Sequence, residues 1–161
     1  MENSFEDLYQ QKLTNAQEAV KHVEPGDGIV YPLGAGEPSA LHKALGEYER
    51  LDGNRLYTML TMNPVLDLPK EKITQMSFFL SGFDRKAFNN GKTELIPCQF
   101  SEIPNIVKAR EPEPVLMGTV SPMDEDGYFS LGVGVSYFGS QVKNAKKIVL
   151  EVNETMPYTY G

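Results

Sequence analysis

The chain is poor in the residues from which most catalytic centres are made. Among its 161 residues are one cysteine, Cys98, and two histidines, His22 and His42. A single cysteine excludes an intrachain disulfide and fits a reducing compartment. Two histidines and one cysteine match no metal site at any usual spacing. A nucleophilic thiol needs a base or a lowered pKa, and both histidines fall in predicted helices with no visible partner. A small buried residue is the plainer account of Cys98. Positive charge is scarce too: 15 Lys and Arg stand against 22 Asp and Glu, a net charge of −7. Phosphate binding draws on clustered cations, so a nucleic-acid partner is not expected. The one basic cluster, Lys143, Lys146 and Lys147, flanks a predicted strand and reads as a solvated edge. No apolar run approaches the length of a membrane span. The opening MENSFEDLYQQ is acidic and amphipathic where a signal peptide is basic and then apolar. The expectation is a cytoplasmic protein with no membrane partner.

What is present is an ordinary globular composition, 40% hydrophobic and 23% charged, of a length that favours one domain. Ser4–Leu13 reads as a helix. Thr14 is placed to cap a second, Asn15–His22, with Gln17 reaching back. Pro25-Gly26-Asp27-Gly28 makes a turn into a short buried strand, Gly28–Tyr31. Gly34-Ala35-Gly36 is a loop, and Pro38 opens a helix running to about Glu49 with Leu41, Ala44, Leu45 and Tyr48 in a stripe. Leu56–Thr61, Met76–Leu80, Glu94–Pro97, Val115–Val120 and Lys147–Val152 are strand candidates. Helices are predicted over Asp84–Asn90, over Ser101–Lys108 with an interruption at Pro104, and over Ser136–Asn144. Strands alternating with helices define an α/β fold: a three-layer α/β/α domain around a mostly parallel sheet.

The strand GIVY followed by the loop GAG and a helix meets a dinucleotide fingerprint only in part. Gly34 and Gly36 supply G-x-G, but Ser39 stands where a third glycine belongs, and Asp52 only loosely meets the expected acid. Glycines at a strand's carboxyl end that open a helix let a ligand oxygen approach backbone N–H groups; a turn needing positive φ accounts for them equally. Glu37 sits beside that helix N-terminus, where the macrodipole stabilises negative charge. Glu102 falls in the first turn of a helix capped by Ser101. Asp124, Glu125 and Asp126, ahead of Gly127, read as a solvated turn. Each of these acids suits a structural role. The following run, Ser130–Tyr137, alternates glycine with apolar residues and has few catalytic side chains. It suits close backbone contact and a site made from main chain and shape. There is no G-x-S-x-G elbow and no Walker loop.

Four stretches in order, VEPGDGIVY with GAGEPSALHKAL, LIPCQFSEIPNIV, VSPMDEDGYFSLGVGVSY and KIVLEVNETMPYTYG, resemble the N-terminal half of the acetyl-CoA hydrolase/transferase family. These are family I CoA-transferases of the kind that includes 4-hydroxybutyrate CoA-transferase. The resemblance covers about Ala16 to Gly161 and is weakest over 49–92. It implies a CoA-transferase-like domain and a ping-pong transfer of coenzyme A from an acyl-CoA to a small carboxylic acid. Coenzyme A is then a substrate and no cofactor is tightly bound. It also implies that the nucleophilic glutamate and most CoA contacts belong to a C-terminal half beyond Gly161, so no residue here is assigned as catalytic and residues 1–161 alone are expected to be inactive. The loops of this half form one wall of the cleft, with Gly34, Ala35, Gly36, Glu37 and Pro38 in one segment and Cys98, Gln99 and Phe100 in another. Gln99 either hydrogen-bonds an acyl or carboxylate oxygen or faces solvent. The C-terminal half is the expected partner and a homo-oligomer the expected assembly. The rival reading is a non-enzymatic α/β module that binds a small carboxylate or an acyl-CoA.

Overall fold

The computed structural model describes residues 4–160. Six strands form one sheet: β1 (Gly28–Val30), β2 (Asn54–Thr58), β3 (Ile73–Ser77), β4 (Thr93–Leu95), β5 (Val115–Val120) and β6 (Lys147–Val152). Their order is β4-β3-β2-β1-β5-β6 and every pairing is parallel, so the expected mostly parallel sheet is entirely so among the described residues. The direction of winding reverses between β1 and β5, the place where doubly wound folds leave a crevice at the strands' carboxyl ends.

Alternation along the strands sends side chains to two separate cores. Ile29, Tyr31, Leu56, Ile73, Val115 and Met117 face one side. There α2 (Ala16–Ala19), its 3-10 continuation Val20–His22 and α3 (Ser39–Gly46) cover them with Ala19, Val20, Leu41, Ala44 and Leu45. Val30, Tyr57, Met76 and Leu116 face the other side, under Ile103 and Val107 of α5 (Ile103–Arg110) and under Tyr137 and Phe138. This is the α/β/α sandwich that the pattern predicts.

Local chemistry fixes the ends of the elements and corrects several of the predicted ones. α1 (Phe5–Lys12) begins at a reciprocal cap in which Ser4 Oγ accepts from Asp7 N and Asp7 Oδ2 accepts from Ser4 N. Ser81 and Asp84 do the same for α4 (Gly82–Asn89), which therefore starts two residues before Asp84. The cap of α2 is Asn15 and not Thr14, its Oδ1 accepting from Glu18 N at 2.9 Å. The cap before α5 is not Ser101: Glu102 Oε2 reaches back to Gln99 N at 2.8 Å across the 3-10 turn Phe100–Glu102. Pro104 does not interrupt α5 but lies in its first turn, where no N–H is required. α3 stops at Gly46, three residues early. The segment expected as a helix over 136–144 is a 3-10 stretch, Gly139–Asn144. Lys146 is not free at a solvated edge, since it pairs with Glu24 and Asp27.

β2 and β3 begin two and three residues before their predicted starts and end three early, and the reason is physical. Their polar starts are ladder residues: Asn54 pairs with Ile73 in register, and its Nδ2 donates to Glu24 O and Asp27 O. The apolar tails of the two runs, Met59-Leu60 and Phe79-Leu80, leave the sheet and rise into the carboxyl-edge loops.

Candidate functional site

Three loops meet over the switch point. The loop after β1 contains the 3-10 turn Gly34–Gly36, the loop after β2 runs through Leu60–Asn63, and the loop after β5 contains the 3-10 turn Gly132–Gly134. They touch through backbone. Gly34 N donates to Met59 O at 3.3 Å, and Leu60 N donates in turn to Phe79 O, in the loop after β3, at 3.0 Å. A Cβ on Gly36 would lie 2.7 Å from Gly134 Cα and 2.9 Å from Pro32 Cβ. The close backbone approach expected of the glycine run is therefore made, and with the partner loop. Gly36→Ala should cost about 2 kcal/mol, in the range of overpacking a closed contact. Urea denaturation measures this, and an unchanged midpoint would show that the two loops part at no cost.

The only non-glycine residues with positive φ among the described residues are Leu60 (51°) and Ser136 (38°), one on each side of this junction. Left-handed backbone is costly for a leucine and persists only where the surroundings over-determine it. The restraint on the β2 loop is Glu37. Its carboxylate is buried, and Oε2 alone accepts from Thr61 Oγ1 (2.8 Å), Met62 N (3.0 Å), Asn63 Nδ2 (3.0 Å) and Asn63 N (3.3 Å). Its backbone carbonyl accepts from Thr119 Oγ1 of β5 at 3.0 Å. Oε1 is buried without a partner. Burial pushes this carboxyl above its ordinary pKa, against the opposing pull of those four hydrogen bonds. The role expected for Glu37 at the α3 N-terminus falls instead to Glu151 of β6, whose Oε2 accepts from Ala40 N (2.9 Å) and Leu41 N (3.0 Å). No local sequence signal links residue 151 to residue 40.

The expected site residues are not equally accessible. Ala35 is exposed and Gly34 half-buried, while Gly36, Glu37 and Pro38 are buried. Cys98, Gln99 and Phe100 follow the edge strand β4, three places along the sheet from β1. Phe100 links the two segments: its ring meets that of Tyr137 edge-on at 6.3 Å, and Tyr137 Oη donates to Tyr31 O at 2.9 Å, just ahead of the Gly34 turn. Gln99 is exposed. Cys98 is half-buried beside the second core, and burial together with the nearby Glu102 raises its thiol pKa. It is a packed thiol, not an activated one. Burial lowers the pKa of His42 below the ordinary imidazole value, with Nε2 against Pro64 O at 2.8 Å, and His22 lies by Lys147. Neither histidine contacts Cys98. Asp124 closes the acidic turn on itself, accepting from Asp126 N and Tyr128 N ahead of Gly127 at φ 84°.

A concavity of about 1300 Å³ lies elsewhere, between α1, α2 and the edge strand β6. It is lined by Phe5, Leu8, Ile148 and Leu150 among others, and by charged groups engaged elsewhere: Glu18 pairs with Lys21, and Glu151 accepts from Ala40 N and Leu41 N. Among the described residues no group of three or more His, Cys, Asp or Glu is placed to hold a metal ion, and no helix is long and apolar enough to cross a membrane.

A doubly wound parallel sheet whose loops meet over its switch point is the architecture of a class of α/β ligand-binding domains. The model of the Acetyl-CoA hydrolase/transferase N-terminal domain matches residues 1–161, and the chain belongs to that family. It is 34% identical over 164 residues to a butyryl-CoA:acetate CoA-transferase of Anaerostipes caccae, covering 98% of this chain and 37% of that protein. It is 32% identical over 167 residues to a succinyl-CoA:cyclohexane-1-carboxylate CoA transferase of Geobacter metallireducens, with the same coverage. The crystal structure of RipA from Yersinia pestis superposes with a TM-score of 0.84 at 28% identity, over 99% of this chain and 40% of that one. The chain thus spans somewhat over a third of the length of these relatives.

Proposed function

We propose that this domain is the N-terminal wall of the active site of an acyl-CoA:carboxylate CoA-transferase, and that the attacking carboxylate comes from the remainder of such a protein. The observation that carries this reading is that Glu37, the one acid in the segments 31–38 and 59–64 after β1 and β2, is already engaged in the fold. So are Glu102 and Asp124, while Glu125, Asp126 and Glu154 lie exposed in solvent-facing turns. Glu37 holds the β2 loop, Glu102 caps the start of α5, and Asp124 closes its own turn. None of these three is free to attack a thioester. Around them the loops after β1 and β2 offer backbone and apolar surface, which holds and shields an acyl group but does not activate it.

In the reaction so assigned, a glutamate carboxylate attacks the thioester carbonyl and expels CoA thiolate, giving an acyl-glutamyl anhydride. The thiolate then attacks the glutamyl carbonyl, releasing the first carboxylic acid and leaving a glutamyl-CoA thioester. A second carboxylate runs the two steps in reverse. Splitting one acyl exchange in this way replaces a difficult step with easier ones. The domain contributes positioning and exclusion of water, which protects the anhydride from hydrolysis. Coenzyme A enters and leaves as a substrate, inside the cytoplasm, and the partner surface is the other half of the cleft.

The test is CoA exchange between acetyl-CoA and butyrate, followed by chromatography of the acyl-CoAs. The full-length polypeptide is expected to exchange, residues 1–161 alone are not, and adding a separately produced C-terminal half is expected to restore exchange. Exchange by residues 1–161 alone would overturn the assignment of the nucleophile.

A further inference from the structure

Family membership does not decide which acyl group the crevice accepts, since the two curated relatives described above act on a monocarboxylic and a dicarboxylic donor. The charge distribution does bear on it. The loops leaving the six carboxyl ends, residues 31–38, 59–64, 78–83, 96–102, 121–137 and 153–160, contain no Lys, Arg or His. All 15 Lys and Arg lie elsewhere in the chain; Arg85, one turn into α4, is the one nearest these loops in sequence. The same loops contain six acids, Glu37, Glu102, Asp124, Glu125, Asp126 and Glu154.

Beside exposed polar groups such as Gln99, Glu125 and Asp126, this edge presents a set of exposed apolar side chains. Leu60, Met62, Phe79, Phe100, Val133 and Val135 are each between 39% and 62% exposed. Recorded contacts tie them to the crevice. Leu60 is the strained residue bonded to Phe79 O, and its own carbonyl lies 3.7 Å from where a Cβ of Gly34 would stand. Met62 N is fixed by Glu37. Val133 and Val135 flank Gly134, which abuts Gly36, and Phe100 packs on Tyr137. Apolar side chains held out of the core by a buried carboxylate and a strained turn are the mark of a built surface and not of a frayed loop.

From this we infer that the carboxyl-edge surface bearing Leu60, Met62, Val133 and Val135 is the wall of the acyl site, which accepts an uncharged apolar acyl group and rejects an acyl group that has a second carboxylate. The inference rests on the CoA-transferase reading. A free carboxylate at the far end of the acyl chain would lose its water beside apolar side chains and acids, with no cation to pair with it. A butyryl chain loses no hydrogen bond there and buries its methylenes. The diphosphate of CoA finds no cation in these segments either, so this wall suits the acyl end of the thioester.

The experiment uses the full-length polypeptide with acetate as acceptor, and compares kcat/KM for butyryl-CoA and succinyl-CoA. Butyryl-CoA is expected to win by about 100-fold or more, the scale of leaving a charge unpaired in an apolar site. Met62→Arg, an exposed change that leaves both cores intact, is expected to narrow that ratio about tenfold by supplying the missing partner. Equal use of the two donors, preference for succinyl-CoA, or an unchanged ratio in Met62→Arg would each overturn the inference while leaving the CoA-transferase reading in place. No transfer from either donor, or from acetyl-CoA, would overturn both.

Discussion

Replacing Glu37 with alanine is expected to lower the stability of this domain by about 3 kcal/mol, while Glu37→Gln leaves it within about 1 kcal/mol of the original. The alanine removes the one acceptor shared by Thr61 Oγ1, Met62 N, Asn63 N and Asn63 Nδ2. Part-buried donors left unpaired cost more than an average hydrogen bond contributes. Met62 N and Asn63 Nδ2 lose their acceptor, while Thr61 Oγ1 keeps only Asn63 O and Asn63 N keeps only Thr61 Oγ1. Leu60 is then held through its bond to Phe79 O alone. Glutamine keeps an oxygen in the place of Oε2 and puts its amide nitrogen at Oε1, where no partner is lost. The pH dependence separates the two contributions. Burial raises the folded-state pKa of Glu37 above 4.5, so the folded protein takes up a proton that the unfolded chain does not. The charged form is therefore a destabilising contribution, fully present above the folded pKa and relieved as pH falls towards 4.5. Urea midpoints measured from pH 7.5 down to 4.5 should show a gain in the original protein, relative to Glu37→Gln, that the glutamine variant lacks. A steeper loss in the original protein would mean that the carboxylate is stabilised by its site.

The layered fold was legible in the sequence because strand and helix periods are local. Ile29 and Tyr31 face one core and Val30 the other, as alternation requires, and β5 and β6 have the bounds that their apolar runs suggest. The carboxyl-edge loops were legible in outline, since Gly34–Gly36 sits where a glycine turn after a strand should. What was not legible is the set of contacts between residues far apart in the chain. Glu37 looks like a helix-terminal acid in sequence, yet its carboxylate is engaged 24–26 residues away, and the helix terminus is served by Glu151. Met59-Leu60 and Phe79-Leu80 read as strand because they are apolar. They leave the sheet because the ladder pairs β2 and β3 from their polar starts, and this surplus of apolar residues past the strand ends is the sequence trace of the apolar crevice. Leu60 and Ser136 have no composition signal at all, since their positive φ is imposed by neighbours.

The largest loss of stability outside the crevice should follow Arg55→Met at the opposite edge of the sheet. Glu111, buried just before β5, accepts from Arg55 Nε, from Arg55 Nη2 at 3.0 Å and from Tyr57 Oη at 2.8 Å. Removing the guanidinium leaves a buried carboxylate with one neutral donor, which costs about 3 kcal/mol, the low end for breaking a buried pair because Arg55 itself is part exposed. The ion pair also explains a glycine. A Cβ on Gly28 would fall 2.2 Å from the carboxyl carbon of Glu111, so the first residue of β1 must be bare for the carboxylate to reach Arg55 across it. Gly28→Ala should therefore destabilise strongly in the original background and markedly less in Glu111→Ala, where the space is vacant. A double-mutant cycle by urea denaturation is expected to give a coupling of about 2 kcal/mol. Additive effects would mean that Gly28 is required by the turn before it and not by the carboxylate. The same pair predicts the acid response of this edge: burial and the Glu111 hydrogen bond push Tyr57 up to about 12. Its hydroxyl therefore keeps its proton throughout the working range, and Tyr57→Phe should lower stability by about 1 kcal/mol with no new pH dependence between pH 6 and 9.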